Sequence, residues 1–320
     1  MDVLVTGATG FIGKHLVERL KKENYRIYYL IRKKSVGRIK ELCNLNIISG
    51  DITDKKSLRK NFKSFDVVFH LAGAFGKLMR REDYFKVNVL GVKNILEVSA
   101  EKNVGKFIHY SACGVYGCSE KVIDESFPYN PTNAYEESKA EGEKIAISFM
   151  NKLPIVILQP AVVFGPGDNY NIFKLFKGIK EGKFVFIGNG ENKLHFVYIK
   201  NLIDASILAL KNKKAIGERF LIADEKPIKV KELVEVIANE LNVKTPKLKI
   251  PKEIALLIAF MIELKSKLLK DNPLITRDGV KFLSSNHEYN ISKAKRILGY
   301  RPKYTTVEGI KETLSTIELY

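Results

Sequence analysis

The first half of the chain alternates short apolar runs with amphipathic stretches, and this rhythm restricts the available folds more than any other feature. Val3–Thr6, Tyr25–Ile31, Asn46–Ile48, Val67–His70, Lys106–Tyr110 and Ile155–Gln159 read as strands. Between them, His15–Lys22, Asp83–Lys102 and Ala134–Lys152 carry apolar residues at i, i+3 and i+4, the pattern of a helix laid on a core. Parallel strands cannot be joined by a tight turn, so each connection needs a long crossover. A regular βα rhythm therefore implies an α/β, doubly wound parallel sheet covered on both faces.

Beyond about Gly165 the rhythm loosens. A helix is expected near Ile172–Glu181, strands near Phe184–Ile187 and Phe196–Tyr198, a helix over Asn201–Leu210, a strand near Phe220–Ala223 and a helix-rich end. Gly165, Pro166 and Gly167 mark the change. The expected division is residues 1–165 as the sheet domain and 166–320 as a smaller lobe, with segments free to interleave. The 320 residues, 45% of them hydrophobic, suffice for that much core.

Composition excludes several classes. Cys43, Cys113 and Cys118 are odd in number and lack CxxC or paired His spacing, so neither a disulfide framework nor a metal site is expected. A reducing cytoplasm is the simplest setting. The longest apolar run, from Ile254 to Ile262, ends at Glu263, short of the ~20 residues a membrane span needs. The net charge of +18 comes from lysines scattered singly along helices, which reads as a solvated surface and leaves no nucleic-acid partner expected.

Directly after the first strand comes TGATGFIG, opening a helix. Gly7 suits a tight turn, Gly10 lets the backbone approach a pyrophosphate, and Gly13 lets helix and strand pack closely, so a Rossmann-type dinucleotide site is expected here. Gly7, Thr9, Gly10, Phe11, Ile12 and Gly13 are its candidate contacts. Where a carboxylate commonly grips the ribose 2′-hydroxyl of NAD, the second strand ends in Ile31, Arg32, Lys33 and Lys34. Arg32 and Lys33 favour the 2′-phosphate of NADP, with NAD still open and ordinary surface cations the competing reading.

Tyr135 and Lys139 stand four apart in YEESK, on one face of an expected helix. An ammonium there depresses a phenol pKa and holds a nicotinamide ribose, so the tyrosine can pass a proton while hydride moves.

Taken with TGATGFIG, these residues join a longer series: Asp51-Ile-Thr-Asp54, His70-Leu-Ala-Gly73, Val87-Asn-Val-Leu-Gly91, Ser111 to Gly117, Pro160 to Gly167, His195 to Ile199, and Ser292 to Pro302. In that order, the chain resembles the extended short-chain dehydrogenase/reductases of the NAD(P)-dependent epimerase/dehydratase family. The resemblance implies an NAD(P)-dependent oxidoreductase or epimerase/dehydratase, with residues 166–320 as substrate-binding lobe and a homodimer formed through Asp83–Lys102 and Ala134–Lys152. It implies Asp51 and Ile52 at the adenine, Leu71, Ala72 and Gly73 along the path to the nicotinamide, and Pro160 and Val163 bordering it. Asn88 would support the site through its helix, and Tyr135, Lys139, Asn88 and Ser111 form the catalytic set.

Two positions depart from the family pattern. The segment Ser111-Ala-Cys113-Gly-Val-Tyr-Gly117 has Ala112 where a Ser or Thr hydroxyl holds the substrate oxygen. Losing one such donor costs ~10²–10³ in rate, and neighbours on either side of an extended residue should face away. The alternative function is thus an NADP-binding scaffold with little catalysis. Gln159 stands where the family often has Arg, so an ion pair is expected to be missing there.

The substrate remains open between a nucleotide sugar and an apolar alcohol or ketone. The apolar stretch Glu253–Glu263 suits a greasy pocket wall, or a core or dimer-packing helix. By contrast, Gly188 to Asn192, with Arg277 and Lys193 as diphosphate partners, suits a sugar nucleotide.

Overall fold

A computed structural model describes residues 1–32, 46–75, 79–168, 171–269, 273 and 275–317. Its centre is a seven-stranded sheet of β1 (Asp2–Thr6), β2 (Arg26–Ile31), β3 (Asn46–Ser49), β4 (Val67–His70), β5 (Lys106–Tyr110), β6 (Ile155–Pro160) and β11 (Arg219–Ile222). The order is β11-β6-β5-β4-β1-β2-β3, with every neighbouring pair parallel. Strands β7 (Val162–Phe164), β8 (Phe186–Ile187), β9 (Lys193–Leu194), β10 (Phe196–Tyr198), β12 (Ile228–Lys229) and β13 (Lys249–Ile250) form three two-stranded pairs outside it.

Side chains alternate across a strand, and here both sets are apolar. Val3 and Val5 enter one core with Phe69, Ile108 and Leu158, whereas Leu4 enters a second with Val68, Phe107 and Ile157. The helices Phe11–Lys22 and Ile199–Lys211 close the first core, and Lys55–Asn61 and Gly91–Glu101 the second. This is the doubly wound arrangement. The strand order reverses between β1 and β4, where such sheets leave a crevice at the strands' carboxyl ends.

The expected helix Asp83–Lys102 is interrupted. It runs as Arg81–Phe85, a π-turn at Lys86–Leu90, and then Gly91–Glu101. The expected strand Phe220–Ala223 is β11, which pairs with β6 and so returns the chain to the main sheet after residue 165. The outer segment is tied back by Asp224: its carboxylate accepts from Tyr198 N, Asn201 Nδ2 and Thr306 Oγ1 at 2.8–2.9 Å, and burial raises its pKa to about 6.

Candidate active site

The chain leaves β1 through Gly7, whose φ of +71° lies in the region that favours glycine. A Cβ on Gly7 would fall 2.7 Å from Ala72 N, and one on Gly13 2.2 Å from the Gly7 carbonyl oxygen, so neither position has room for a side chain. Gly10 differs. A Cβ there would meet only the Gly7 carbonyl oxygen, at 3.3 Å, so the space it leaves opens toward solvent.

Gly10 is also the N-cap of Phe11–Lys22, without a capping side chain, and the first turn carries no acidic residue. The N–H groups of Phe11, Ile12 and Gly13 consequently end the helix uncapped, with the positive end of its dipole at the crevice. Exposed Thr9 lies beside them. An exposed glycine before an uncapped helix fits a dinucleotide pyrophosphate.

The remaining cofactor candidates lie after β2, β3 and β4, at the end of β6 and in β7. Arg32 is exposed at the end of β2, while Lys33, Lys34 and Cys43 lie outside the described residues. Asp51 Oδ1 accepts from Thr53 N and Oγ1 at 2.9 and 2.8 Å, and buried Ile52 offers its carbonyl to Asn94 Nδ2. Leu71 and Ala72 leave β4 hydrogen-bonded to Thr6, through its carbonyl and its Oγ1 respectively, and Gly73 is exposed beyond them. Pro160 ends β6, and Val163 is half-buried in β7.

Tyr135 and Lys139 lie in the helix Ala134–Ser148, which Asn133 caps by accepting from Glu136 N. That helix packs on the π-turn and on the short turn Cys113–Tyr116. Gly142 allows the approach, since a Cβ there would fall 2.3 Å from the Asn88 carbonyl oxygen. Asn88 Oδ1 accepts from Ala74 N at 2.8 Å, and Nδ2 donates to Ala74 O at 3.1 Å and Ser138 Oγ at 2.9 Å. Its side-chain donors are fully used, so Asn88 is a positioning residue that ties the segment after β4 to the Tyr135 helix.

The phenol of Tyr135 sits among rings, edge-on to Phe75 at 5.1 Å and Tyr84 at 5.9 Å, and burial raises its pKa. Lys139 Nζ donates to Tyr110 O, and burial lowers its pKa to about 8. Behind it, His70 and His109 stack at 5.7 Å. Burial, reinforced by the Lys139 charge, holds His70 near a pKa of about 3 and His109 well below its ordinary value, so both are neutral. His70 Nδ1 meets Thr6 Oγ1 at 2.8 Å, which links this pair to the cofactor turn.

Neither neighbour of Ala112 faces like it. Cys113 Sγ donates to Gln159 O, and Ser111 Oγ is buried with no hydrogen-bond partner among the described residues. Ala112 itself is half-buried.

Gln159 makes hydrogen bonds in place of an ion pair, and a cation reaches its carboxylate partner from another strand. Buried Glu143, one turn beyond Lys139, accepts from Gln159 Nε2 and Tyr129 OH, each at 2.8 Å, and Arg219 Nη1 stands 3.6 Å away. Arg219 is on β11, the strand beside β6, and supplies the cation that Gln159 lacks. The sequence reading missed this group. Its available signal was Glu143 at i+4 from Lys139, because a carboxylate continuing a buried face requires a partner.

The diphosphate partners proposed from sequence are both engaged elsewhere. Arg277 pairs with Glu263 at 2.8 Å and Lys193 with Glu288 at 3.0 Å.

The profile of the NAD dependent epimerase/dehydratase family matches residues 3–223. The chain is 30% identical over 349 residues to 3beta-hydroxysteroid-dehydrogenase/decarboxylase isoform 1 of Arabidopsis thaliana, covering 98% of this chain and 79% of that protein. It is 28% identical over 323 residues to N-acetyl-alpha-D-glucosaminyl-diphospho-ditrans,octacis-undecaprenol 4-epimerase of Escherichia coli O157:H7, covering 98% and 94%. Among solved structures it is similar to UDP-glucuronic acid 4-epimerase from Bacillus cereus in complex with NAD, with TM-score 0.76, 26% identity, and 99% and 98% of the two chains covered. The profile match spans the cofactor turn, the Tyr135 helix and β11 alike, and the chain belongs to the NAD dependent epimerase/dehydratase family, whose members are NAD(P)-dependent oxidoreductases and epimerases.

Proposed function

We propose that the chain uses NADP in preference to NAD to oxidise, reduce or epimerise a secondary alcohol or ketone carried on an apolar body. The observation that carries this reading is the single helix face holding Tyr135 and Lys139, tied through Asn88 to the segment that follows β4 at the sheet's carboxyl edge. The nicotinamide accepts or supplies hydride when bound.

Everything else is work for this chain's residues. Gly7, Gly10 and Gly13, with the helix N-terminus, hold the pyrophosphate; Asp51 and Ile52 border the adenine; and Leu71 to Gly73, Pro160 and Val163 border the nicotinamide. Exposed Arg32 meets the 2′-phosphate. Tyr135 exchanges the hydroxyl proton of the substrate, and the Lys139 ammonium lowers the cost of its phenolate. Residues 166–320 supply the substrate lobe, with β11 lent back to the cofactor half.

The apolar body is favoured over a free sugar nucleotide on two grounds. Arg277 and Lys193 are already paired with carboxylates, and Phe75, half-exposed, presents a ring beside Tyr135. Two relatives are named for a 3beta-hydroxysteroid and for an N-acetylglucosaminyl group on a diphospho-undecaprenol, which supports a substrate with an apolar body. A homodimer through the Asp83–Lys102 and Ala134–Lys152 helices fits the exposure of Leu90 and Ile147, and light scattering tests it. Free thiols at Cys113 and Cys118 suit a reducing cytoplasm.

The experiment is single-turnover hydride transfer with Tyr135→Phe. Turnover falls at least ~100-fold with cofactor affinity little changed, and near-normal turnover removes Tyr135 from the chemistry. In parallel, NADPH binds more tightly than NADH, and Arg32→Asp narrows or reverses the ratio; an unchanged ratio discards the role of Arg32. The second reading, a cofactor-binding scaffold, rests on the methyl at Ala112.

A further inference from the structure

The helix Lys252–Leu269 is packed with its large side chains outward. Ala255 and Ala259 are buried against Val280, Ile187 and Ile250, while Ile254, Leu257, Ile258, Met261, Leu264 and Leu268 are 42–78% exposed. At about 100° per residue these six form one stripe opposite the two alanines. The helix is anchored by its small residues and offers its large ones to something else. Contiguous apolar exposure of this kind marks a contact surface, and only the alanine face of this segment serves a core.

The charges around the stripe identify the occupant. Residues 244–269 contain six lysines against two glutamates. Lys244, Lys247, Lys249 and Lys252 are exposed at the N-terminal approach, with Lys265 toward the other end. Glu263 is engaged by Arg277, which leaves the surroundings cationic. A nucleic acid would match the charge and reject the aliphatic stripe; a neutral apolar partner would match the stripe and strand the lysines. Both are satisfied at once by an anionic bilayer, where aliphatic side chains enter the acyl boundary and lysines meet the headgroup phosphates.

We propose that this face docks the protein on an anionic lipid bilayer, with Lys252–Leu269 lying in the interface plane. Its 18 residues extend about 27 Å, and no helix among the described residues is long and apolar enough to cross a membrane. The placement bears on the active site. Lys252–Leu269 packs on the helix Arg277–Leu283, and Asp278 in its first turn acts electrostatically on Tyr84 and Glu136, the residues around Tyr135. Docking brings that side of the site to the lipid surface. The inference does not depend on the substrate reading, since the surface is tested with no substrate present.

The test is co-sedimentation of the full chain with vesicles of phosphatidylcholine alone or with about one-third phosphatidylglycerol. The protein pellets with the anionic vesicles and not with the neutral ones, and binding weakens at least ~10-fold when salt rises from about 0.1 to 0.5 M. Leu257→Glu with Met261→Glu abolishes pelleting by removing the stripe, and Lys247→Glu with Lys249→Glu weakens it by ~10-fold with the stripe intact. Unchanged cofactor affinity and circular dichroism confirm that both variants fold. Failure of the folded wild type to bind anionic vesicles overturns the proposal, as does equal binding by the Leu257/Met261 variant. A solution dimer that this variant splits into monomers also overturns it, because the stripe would then seat a second copy.

Discussion

Tyr135, Lys139 and Glu143 share one face of one helix, about a turn apart, yet the two ends of that face are treated in opposite ways. Glu143 is held through one oxygen: Gln159 and Tyr129 donate to its Oε1 and Arg219 stands beside it, while Oε2 is buried with no hydrogen-bond partner among the described residues. Tyr135 is surrounded by rings, and its hydroxyl has no hydrogen-bond partner among the described residues. Lys139 lies between, with one carbonyl partner and a depressed pKa. The Glu143 end ties the helix to β6 and β11 through Gln159 and Arg219. The Tyr135 end, lined by rings, leaves its phenol available to a ligand.

Three substitutions probe that contrast, beginning with the largest effect. Arg219→Leu leaves the buried Glu143 carboxylate with only the Lys139 ammonium one turn away as cation and should destabilise the fold by about 2–3 kcal/mol, below the range for fully buried pairs because Arg219 is partly exposed. Denaturant unfolding measures the loss, while single-turnover hydride transfer stays within a few-fold. A stable variant with collapsed chemistry would erase the distinction between the two ends.

Ala112→Ser comes next. Restoring a hydroxyl beside Tyr135 should raise turnover about 10-fold, within the ~10²–10³ that one oxyanion donor supplies. Ser111→Ala and Cys113→Ala sharpen the result: the Cys113 thiol already donates to Gln159 O, so a loss of turnover in Ser111→Ala would mark the unpartnered Ser111 hydroxyl as a substitute reached by local rearrangement. Lower turnover in Ala112→Ser, with Ser111→Ala neutral, would instead assign residue 112 to an apolar wall.

The smallest effect on stability belongs to Lys139→Met. Its folded pKa of about 8 lies below the ordinary 10.5, so between those values the folded state has released a proton that the unfolded chain retains, and stability rises with pH through this window. Below about pH 8 the full cost of the buried ammonium is present. Methionine removes it, and after the lost bond to Tyr110 the apo protein should gain about 1 kcal/mol at pH 7, a gain that fades by pH 10.5 while hydride transfer is lost. Unfolding midpoints at pH 7 and pH 10 read this directly. A pH-independent loss of stability would make Lys139 a structural residue like Glu143.

The parts legible in the sequence were those set by local periodicity. Six sheet strands follow the apolar runs to within a residue or two, and Gly7 and Gly13 are glycines because their neighbours leave no room. What escaped depended on residues distant in the chain. The π-turn that turns Asn88 toward Ala74 leaves the apolar spacing of its helix readable as one unbroken segment. Arg219 replaces a cation at a position sixty residues away, visible only once β11 lies beside β6. The stretch Ile254 to Ile262 is apolar at every position, so periodicity could not show that Ala255 and Ala259 face in while Ile254, Leu257, Ile258 and Met261 face out.

The return of β11 also has a consequence for how the chain is made. Every residue of β6 is buried, and β11 covers one of its edges, yet the covering strand is synthesised about sixty residues after the edge it protects. At ribosomal rates of ~5–20 residues per second, the nascent β6 waits roughly 3–12 s with that flank unpaired. During that interval it offers a row of free amides and carbonyls to any neighbouring strand. The cofactor half expressed by itself as residues 1–165 would therefore leave one edge of β6 unpaired. It is completed when Arg219–Ile222 emerges, which makes the nascent chain a client for protection during that stretch of translation.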